Sequence, residues 1–385
     1  MSAPTKTRAH TPRPRSRALC LALLATMTLT GCTLIGDDDS SPSAESADGS
    51  DGSGDATSEP TSPAPDEEVV LITHDSFYLP PEVIEDFTAE TGYPLTVLPS
   101  GDAGSMTNTL ALTTNSPLGD AVFGIDNTFA SRAVEEGVLA EYTPTEVPDG
   151  VSDHVLDGEL AAYLTPVDFG DVCVNVDLEW FEREGIPAPQ TLQDLTDPQY
   201  EGLFVTPGAS TSSPGLAFLL ATIAEFGEDG WQDYWRELKA NDVLVTAGWE
   251  DAYMVDFSAG RDQGDRPIVV SYASSPPFTI DEDSGESTTA ALMETCYHQV
   301  EYAGVLEGAA NEAGARAVVD YLLSDAVQES LPESMFVFPV SDEVELPSEW
   351  AKWAKVAQDP YELPADQVEE TRMDWVSQWA DIATG

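Results

Sequence analysis

The feature that most constrains the fold is an alternation of short β-branched runs with helical periodicities, which begins at residue 69. Residues 69–73 (VVLIT) form a run of strand length, and Pro81 opens a segment whose apolar residues recur at helical spacing. Two further strand-like runs follow at 95–98 and 121–125. Strand, helix and strand in this order predict an α/β fold, whose ligands bind beyond the carboxyl ends of the strands.

The length of this region predicts more than one core. Residues 69–385 exceed what one hydrophobic core comfortably covers, so we expect two lobes. The first comprises 69–167 with about 299–345, and the second comprises 168–298. Residues 346–385 are expected to form C-terminal helices that pack on the lobes, because Trp375 and Trp379 stand one helical turn apart.

The N-terminal 68 residues have no pattern of a packed domain. Residues 1–32 combine a basic start, a short apolar run and the sequence Leu-Thr-Gly-Cys that ends at Cys32, which predicts a lipoprotein signal peptide with Cys32 as the lipidated residue. A plain secretory signal is the alternative. Residues 33–68 are rich in acid, Ser, Gly and Pro, and are predicted to be a disordered tether. Together they predict an exported protein anchored by lipid to the outer face of the cell membrane.

The charge of the chain excludes one class of partner. It has 15 basic and 70 acidic residues, for a formal net charge of −55. Nucleic acid is therefore an unlikely partner, because its phosphates and this acidic chain repel each other. A solvated acidic surface is the favoured interpretation, and steering of a cationic ligand is the alternative.

Two cysteines remain once the predicted signal segment is set aside. Cys173 and Cys296 are the only pair in the predicted globular region. An oxidising compartment and an even count favour a disulfide between them, and two unpaired buried thiols are the alternative.

A helix start near residue 213 is a candidate anion site. The stretch 206–226 begins with Gly, Ser and Thr and continues as an apolar helical run, with Ser213 predicted as N-cap and Pro214 at the first helical position. The exposed N–H groups of such a start can hold a phosphate. An ordinary capped helix is the alternative.

Several loop sequences occur together in one order along the chain. They are HDSF (74–77), GIDN (124–127), PVDFG (166–170), SSPGL (212–216), GWEDAY (248–253), SYASSP (271–276) and WVSQW (375–379). In this order they resemble the thiamine-binding proteins of bacterial thiamine ABC importers. The resemblance implies a two-lobed type II periplasmic-binding-protein fold with a hinge between the lobes. It also implies thiamine and its phosphate esters as ligand, and an ABC permease with its ATPase subunit as partner. A monomer is expected, with no catalytic residue, cofactor or metal.

The resemblance also implies which residues contact the ligand. Aromatic faces at Trp249 and Tyr272 suit a flat cationic ring, and Asp102 can accept from the aminopyrimidine or offset the positive charge. By position, the implied contacts are Asp102, Ala103, Ser212, Ser213, Trp249, Tyr272, Ala273, Ser274 and Ser275. Additional candidates are His74, Asp75, Asp126 and Phe278, with His74 and Phe278 standing where relatives tend to have Tyr.

Other classes of function are weighed against this interpretation. The chain has no G-x-S-x-G, H-E-x-x-H or C-x-x-C motif that would favour an enzyme. A same-fold protein that binds a polyamine or ferric ion is the stronger rival, although no adjacent tyrosine pair of the kind expected for iron is present. A purely structural lipoprotein is the third class, and it would not need polar loops at so many strand ends.

Overall fold

The computed structural model describes residues 67–385, so the predicted signal peptide, Cys32 and almost all of the predicted tether lie outside the described residues. The strands are β1 (Val69–Thr73), β2 (Leu95–Pro99), β3 (Ala121–Asp126), β4 (Leu139–Ala140), β5 (Thr165–Asp177), β6 (Phe204–Pro207), β7 (Leu244–Thr246), β8 (Ile268–Tyr272), β9 (Thr289–Leu306) and β10 (Phe338–Pro339). The α-helices are α1 (Pro81–Thr91), α2 (Ala103–Leu112), α3 (Ala130–Glu135), α4 (Leu178–Glu184), α5 (Ser213–Phe226), α6 (Trp231–Ala240), α7 (Glu312–Tyr321), α8 (Asp325–Ser334), α9 (Ser348–Trp353) and α10 (Ala365–Thr384).

The strands form one mixed sheet with a parallel group at each end. The order is β2-β1-β3-β9-β5-β8-β6-β7, with β10 on β5 and β4 on β9. β1 is parallel to β2 and β3, and β6 is parallel to β7 and β8. The long strands β5 and β9 pair antiparallel to each other and join the two groups. We call β1–β3 the first half-sheet and β6–β8 the second half-sheet.

Apolar residues at helical and strand spacing form two main buried clusters. One packs α1, α7 and α8 against the first half-sheet, with Phe87 and Phe123 fully buried. The larger one contains α2, α5, α6 and α10, and here Trp235 meets Trp379 edge to face with ring centroids 5.6 Å apart. Trp375 and Trp379 of α10 are both buried in this cluster.

Helix α5 begins one residue earlier than the sequence predicts. Its N-cap is Ser212 rather than Ser213, and Pro214 stands at the second helical position. Neither serine side chain caps the helix; instead the Ser213 N–H donates to the carboxylate of Asp102. The prediction of Ser213 as N-cap was therefore wrong, because a distant acidic side chain supplies the acceptor that a local hydroxyl supplies in most helices.

Cys173 on β5 and Cys296 on β9 form a disulfide. The bridge lies where the β5–β9 register shifts between Val172 and Val174, and it joins the two strands that link the half-sheets. Among residues 67–385, no helix is both long enough and apolar enough to span a bilayer.

Candidate functional site

A cavity of about 370 Å³ lies where loops from both half-sheets meet. The first half-sheet contributes the residues that follow β1 and β2, and the second contributes the start of α5 and the residues that follow β7 and β8. Of the predicted ligand contacts, those that line the cavity are His74, Asp75, Asp102, Ala103, Ser213, Trp249, Tyr272, Ser275 and Phe278. Those that do not are Ser212, Ala273, Ser274 and Asp126.

Asp102 connects the two half-sheets across the cavity. It is the N-cap residue of α2, and its carboxylate accepts from two backbone N–H groups of the other half: Oδ1 from Ser213 at 3.1 Å and Oδ2 from Trp249 at 2.8 Å. Burial raises the pKa of Asp102 above its ordinary value, and the Trp249 N–H, the Ser212 hydroxyl and the Ser213 N–H oppose that shift. Asp102 is thus a cross-cavity acceptor as well as a cavity-lining group.

An aromatic wall occupies the second half-sheet side of the cavity. The Trp249 indole stacks on Tyr253, with ring centroids 5.0 Å apart and planes 11° apart, and it meets Tyr272 edge to face at 6.3 Å. Its ring N–H donates to the Ser271 hydroxyl at 2.9 Å. The Tyr272 hydroxyl accepts from the Gln299 amide at 3.1 Å. Hydrogen bonds and stacking therefore hold both predicted aromatic residues in one orientation before any ligand enters.

The turn after β8 explains why its residues differ in their access to the cavity. Ser275 Oγ accepts from the Tyr272 backbone N–H at 3.1 Å and lies 2.8 Å from Ser271 Oγ. Ala273 instead donates its N–H to the Asp171 carbonyl, away from the cavity, and both Ala273 and Ser274 are fully buried. The turn presents Tyr272 and Ser275 to the cavity and turns the two residues between them inward.

A serine hydroxyl at the start of α5 lacks a partner. Ser212 and Ser213 are both almost fully buried, and whereas the Ser212 hydroxyl interacts with the Asp102 carboxylate, Ser213 Oγ has no hydrogen-bond partner among residues 67–385. Only Ser213 lines the cavity. A buried hydroxyl without a partner is costly, so Ser213 Oγ is ready to bond a polar group of a ligand.

A group of acids lies beside the cavity on the central strands. Glu301 of β9 lines the cavity, is 6% exposed, and faces Asp126 of β3 and Asp168 of β5 as cross-strand neighbours. Its Oε1 lies 3.4 Å from His74 Nε2. Burial alone would lower the pKa of His74, but nearby carboxylates, Glu301 first among them, outweigh it and raise that pKa. Burial, with a contribution from Glu301, raises the pKa of Asp168 well above its usual range.

Sequence reasoning missed several cavity residues. Glu301 lies inside a strand-like run, where alternation alone does not show that its carboxylate reaches a cavity. Phe336 also lines the cavity, and its φ of 58° is rare for a bulky residue, which is the kind of strain found at binding sites. Glu250 also lines the cavity, and it belongs to the GWEDAY motif (248–253), of which the resemblance implied only Trp249 as a contact.

The chemistry of the cavity suits an aromatic cation. Among its lining residues, carboxylates are carried by Asp75, Asp102, Glu250, Asp251 and Glu301, and none is Lys or Arg. Aromatic faces and carboxylates attract a flat positive ring. Within residues 67–385, no group of His, Cys, Asp and Glu side chains is arranged to hold a metal ion.

Two parallel half-sheets joined by long antiparallel strands, with a ligand-sized cavity between their strand ends, define a class of solute-binding proteins, the type II periplasmic binding proteins. Solved structures share this fold. A periplasmic thiamin binding protein superimposes with a TM-score of 0.71 at 26% identity, covering 82% of this chain and 96% of that one. A ferric binding protein from Campylobacter jejuni gives 0.63 at 16% identity, covering 82% and 99%, which shows the fold alone.

Sequence comparison assigns the family within this class. Residues 117–359 match the model of the bacterial extracellular solute-binding proteins, and the chain belongs to that family. The chain is also similar to the thiamine-binding periplasmic protein of Escherichia coli strain K12, at 27% identity over 320 residues that cover 81% of this chain and 92% of the relative. The prediction of a two-lobed solute-binding fold is confirmed.

Proposed function

We propose that this chain is an extracytoplasmic binding protein that captures thiamine in the cavity between its half-sheets and delivers it to an ABC importer. The observation that carries the proposal is the lining of that cavity, in which Trp249 and Tyr272 lie beside five carboxylates with no Lys or Arg among the lining residues. The positive thiazolium ring matches this set. The similarity to relatives named for thiamine binding supports the same ligand.

The cavity offers a partner for each part of thiamine. The Trp249 and Tyr272 rings provide faces for the thiazolium or the aminopyrimidine, with a cation–π attraction of roughly 0.5–2 kcal/mol. Glu301 and Asp75 provide acceptors for the amino group and compensate the positive charge. Ser213 Oγ has no partner within the described residues, and it provides a hydrogen-bond partner for the hydroxyl of the hydroxyethyl arm. The chain performs no catalysis in this role.

Two further parts of the proposal concern where the protein lies in the cell and how its two lobes close. The segment that ends at Cys32 directs export and leaves the mature protein held by lipid at the outer face of the membrane, as a monomer that meets its permease there. The lobes are 69–167 with about 299–345, and 168–298, and they close by bending where β5 and β9 cross between them.

Titration calorimetry on the purified protein tests the ligand. We expect saturable heat with thiamine at a stoichiometry of one. The carboxylates of the cavity make a polyamine the informative competitor, so putrescine is titrated in parallel, with ferric citrate as a third probe. Heat with putrescine or iron and none with thiamine would refute the proposal.

Replacement of Trp249 tests whether the aromatic wall binds the ligand. Trp249→Ala removes the stacked indole, and we expect roughly tenfold or weaker thiamine binding, since a cation–π contact of this size corresponds to about one order of magnitude. Trp353→Ala, which removes an indole that does not line the cavity, is the matched control. If Trp249→Ala binds thiamine as tightly as the control does, the ring serves packing alone.

A further inference from the structure

We propose that the carboxyl groups of Asp168 and Glu301 share one proton beside the cavity, and that a cationic ligand expels this proton when it binds. Capture of the ligand is then coupled to release of a proton into the solvent. The coupling rests on the proposed function, because it requires that the bound ligand carries a positive charge.

Three acids stand side by side on the central strands. Glu301 of β9 is the cross-strand neighbour of Asp126 of β3 and of Asp168 of β5. All three are buried, with Asp126 at 0%, Asp168 at 1% and Glu301 at 6% exposure. Of the three, only Glu301 lines the cavity, so it is the one that meets a ligand there. Like charges directly opposite each other on neighbouring strands are unfavourable, and removal from water makes them more so.

The contact between Asp168 and Glu301 requires a proton. The Asp168 carboxyl interacts with that of Glu301, and no N–H or O–H group among the described residues donates to either oxygen of Asp168. Two ionised carboxylates have no hydrogen to place between them, whereas a protonated carboxyl donates to an ionised one. Burial first, and then Glu301, raise the pKa of Asp168 well above its usual range, as is typical of two carboxyl groups at one site. The free protein therefore holds the pair as one acid and one carboxylate.

The charged groups around the pair do not replace this proton. Those that face the pair from neighbouring elements are His74, Asp126 and Tyr272, and those that act on His74 or Asp126 in turn are Asp75, Asp102, Glu250 and Arg372. Only His74 and Arg372 among them can be positive, and neither donates to Asp168. His74 Nε2 lies 3.4 Å from Glu301 Oε1, so it compensates Glu301 while Asp168 keeps its proton.

A cation in the cavity changes this balance. Its positive charge beside Glu301 favours the ionised form of both carboxyl groups, as an opposite charge within about 4–6 Å does. The shared proton then leaves to water, and the positive ring takes over the compensation of the pair. One positive charge enters and one leaves, so the net charge of the site is the same before and after binding. Since the proton competes with the ligand, a rise in pH strengthens binding and a fall in pH weakens it.

Calorimetry in two buffers measures the released proton directly. Thiamine is titrated into the purified protein near pH 7 in PIPES and in Tris, whose ionisation enthalpies differ, and the difference in heat gives the number of protons released. We expect about 0.5–1 proton per bound thiamine, and an affinity that rises at least about fivefold from about pH 6.5 to about pH 8. Free thiamine is the probe because the phosphate of an ester itself titrates near pH 6.

The outcomes of this titration separate the coupling from the proposed function. Saturable binding of thiamine with no proton released would overturn the coupling and leave the proposed function intact. Absence of thiamine binding in both buffers would overturn the two together.

Replacement of Asp168 assigns the proton to the carboxyl pair. The amide of Asp168→Asn donates to Glu301 without a titrating proton, so the contact is kept and the release is lost. We expect the number of protons released to fall by at least about half, and the affinity to change by less than about twofold over the same pH range. Asp86→Asn removes an exposed carboxylate of α1 and is the matched control, which should release as many protons as the wild type.

Two further variants distinguish the pair from the imidazole beside it. Glu301→Gln also sets an amide against the other carboxyl, so it keeps the test open if Asp168→Asn does not fold, and we expect the same loss of proton release together with weaker binding. His74→Gln should keep most of the release. Release that survives in both carboxyl variants would overturn the assignment, and its loss in His74→Gln would trace the proton to the imidazole instead.

Discussion

At the scale of the residue, the most consequential group outside the cavity surface is Asp126, a buried acid whose charge depends on pH. Its Oδ1 accepts from the Thr128 N–H and hydroxyl and from the Phe129 N–H, at 2.7–2.9 Å. Its Oδ2 is buried and has no hydrogen-bond partner in the part of the chain that the structure describes. Burial raises the pKa of Asp126 to about 7; the Thr128 and Phe129 bonds oppose that rise, and Glu301 adds to it.

This pKa predicts a stability that falls as pH rises. Between its ordinary value near 4 and about 7, folded Asp126 keeps a proton that the unfolded chain has lost, so each unit of rising pH disfavours folding by up to ~1.4 kcal/mol. Asp126→Asn keeps the Oδ1 acceptor and removes the titrating charge. The free energy of unfolding in urea is compared between the variant and the wild type at each pH. We expect this difference to shift in favour of the variant by roughly 2–4 kcal/mol from pH 4 to pH 8. A difference independent of pH would show that Asp126 does not carry this linkage.

Asp102, which is predicted as a ligand contact, also joins the two halves of the molecule. The sequence alone indicates an acid in a small-residue loop ahead of a helix, and it predicts a ligand contact by resemblance. The structure adds that both carboxylate oxygens are bonded to the opposite half of the molecule. That pairing joins residues more than a hundred positions apart, so no local pattern could indicate it.

At the scale of the element, α2 and the loop before α5 form the contact that brings the half-sheets together. Asn108 of α2 donates to the Ser210 carbonyl at 3.3 Å, in addition to the Ser105 bond to Thr211. Gly104 makes this approach possible: a Cβ there would lie 2.7 Å from the Thr211 carbonyl carbon and 2.8 Å from the Phe129 ring. The backbones are too close for any side chain.

Gly104→Ala is therefore expected to hold the half-sheets apart. Because the neighbouring atoms include backbone, α2 must move away rather than let a side chain turn aside. We expect roughly tenfold weaker thiamine binding, and a larger radius of gyration by small-angle scattering in the presence of ligand. Thr109→Ala on the same helix removes a hydroxyl that bonds only within α2 among the contacts described, and it is the control. Scattering curves identical to the control would contradict this role for Gly104.

At the scale of the whole molecule, charge is the dominant property. The chain has a formal net charge of −55, and within residues 67–385 few acids beyond those of the cavity and the central strands are buried. Like charges at this density repel one another and disfavour the folded state. Isolated surface ion pairs, such as Arg236 with Asp233, compensate little of this repulsion.

Added salt should accordingly stabilise the protein. Screening shortens the range of repulsion from ~10 Å at 0.1 M to ~3 Å at 1 M salt. We expect the melting temperature to rise by several degrees, about 5 °C or more, between 0.02 and 1 M NaCl. Potassium chloride at matched ionic strength should act alike, since the effect is one of screening. A melting temperature that is flat or falls with salt would show that repulsion is not a major term.

By itself, the sequence determined the local structure and the kind of protein. Periodic apolar residues specified the strands 69–73 and 121–125 and the apolar helix from 213, because burial of such faces dominates local conformation. The ordered loop motifs indicated the two-lobed fold, and the aromatic residues of the cavity, Trp249 and Tyr272, were named from them.

Only the tertiary structure decided what these parts do together. The cavity forms where segments distant in sequence converge, and convergence decides that Glu301 reaches it while Ala273 and Ser274 do not. It also decides that the Ser213 N–H at the start of α5 donates to the carboxylate of Asp102. Local sequence encodes which backbone donors a helix start exposes, but the acceptor that reaches them depends on how the chain packs across the sheet.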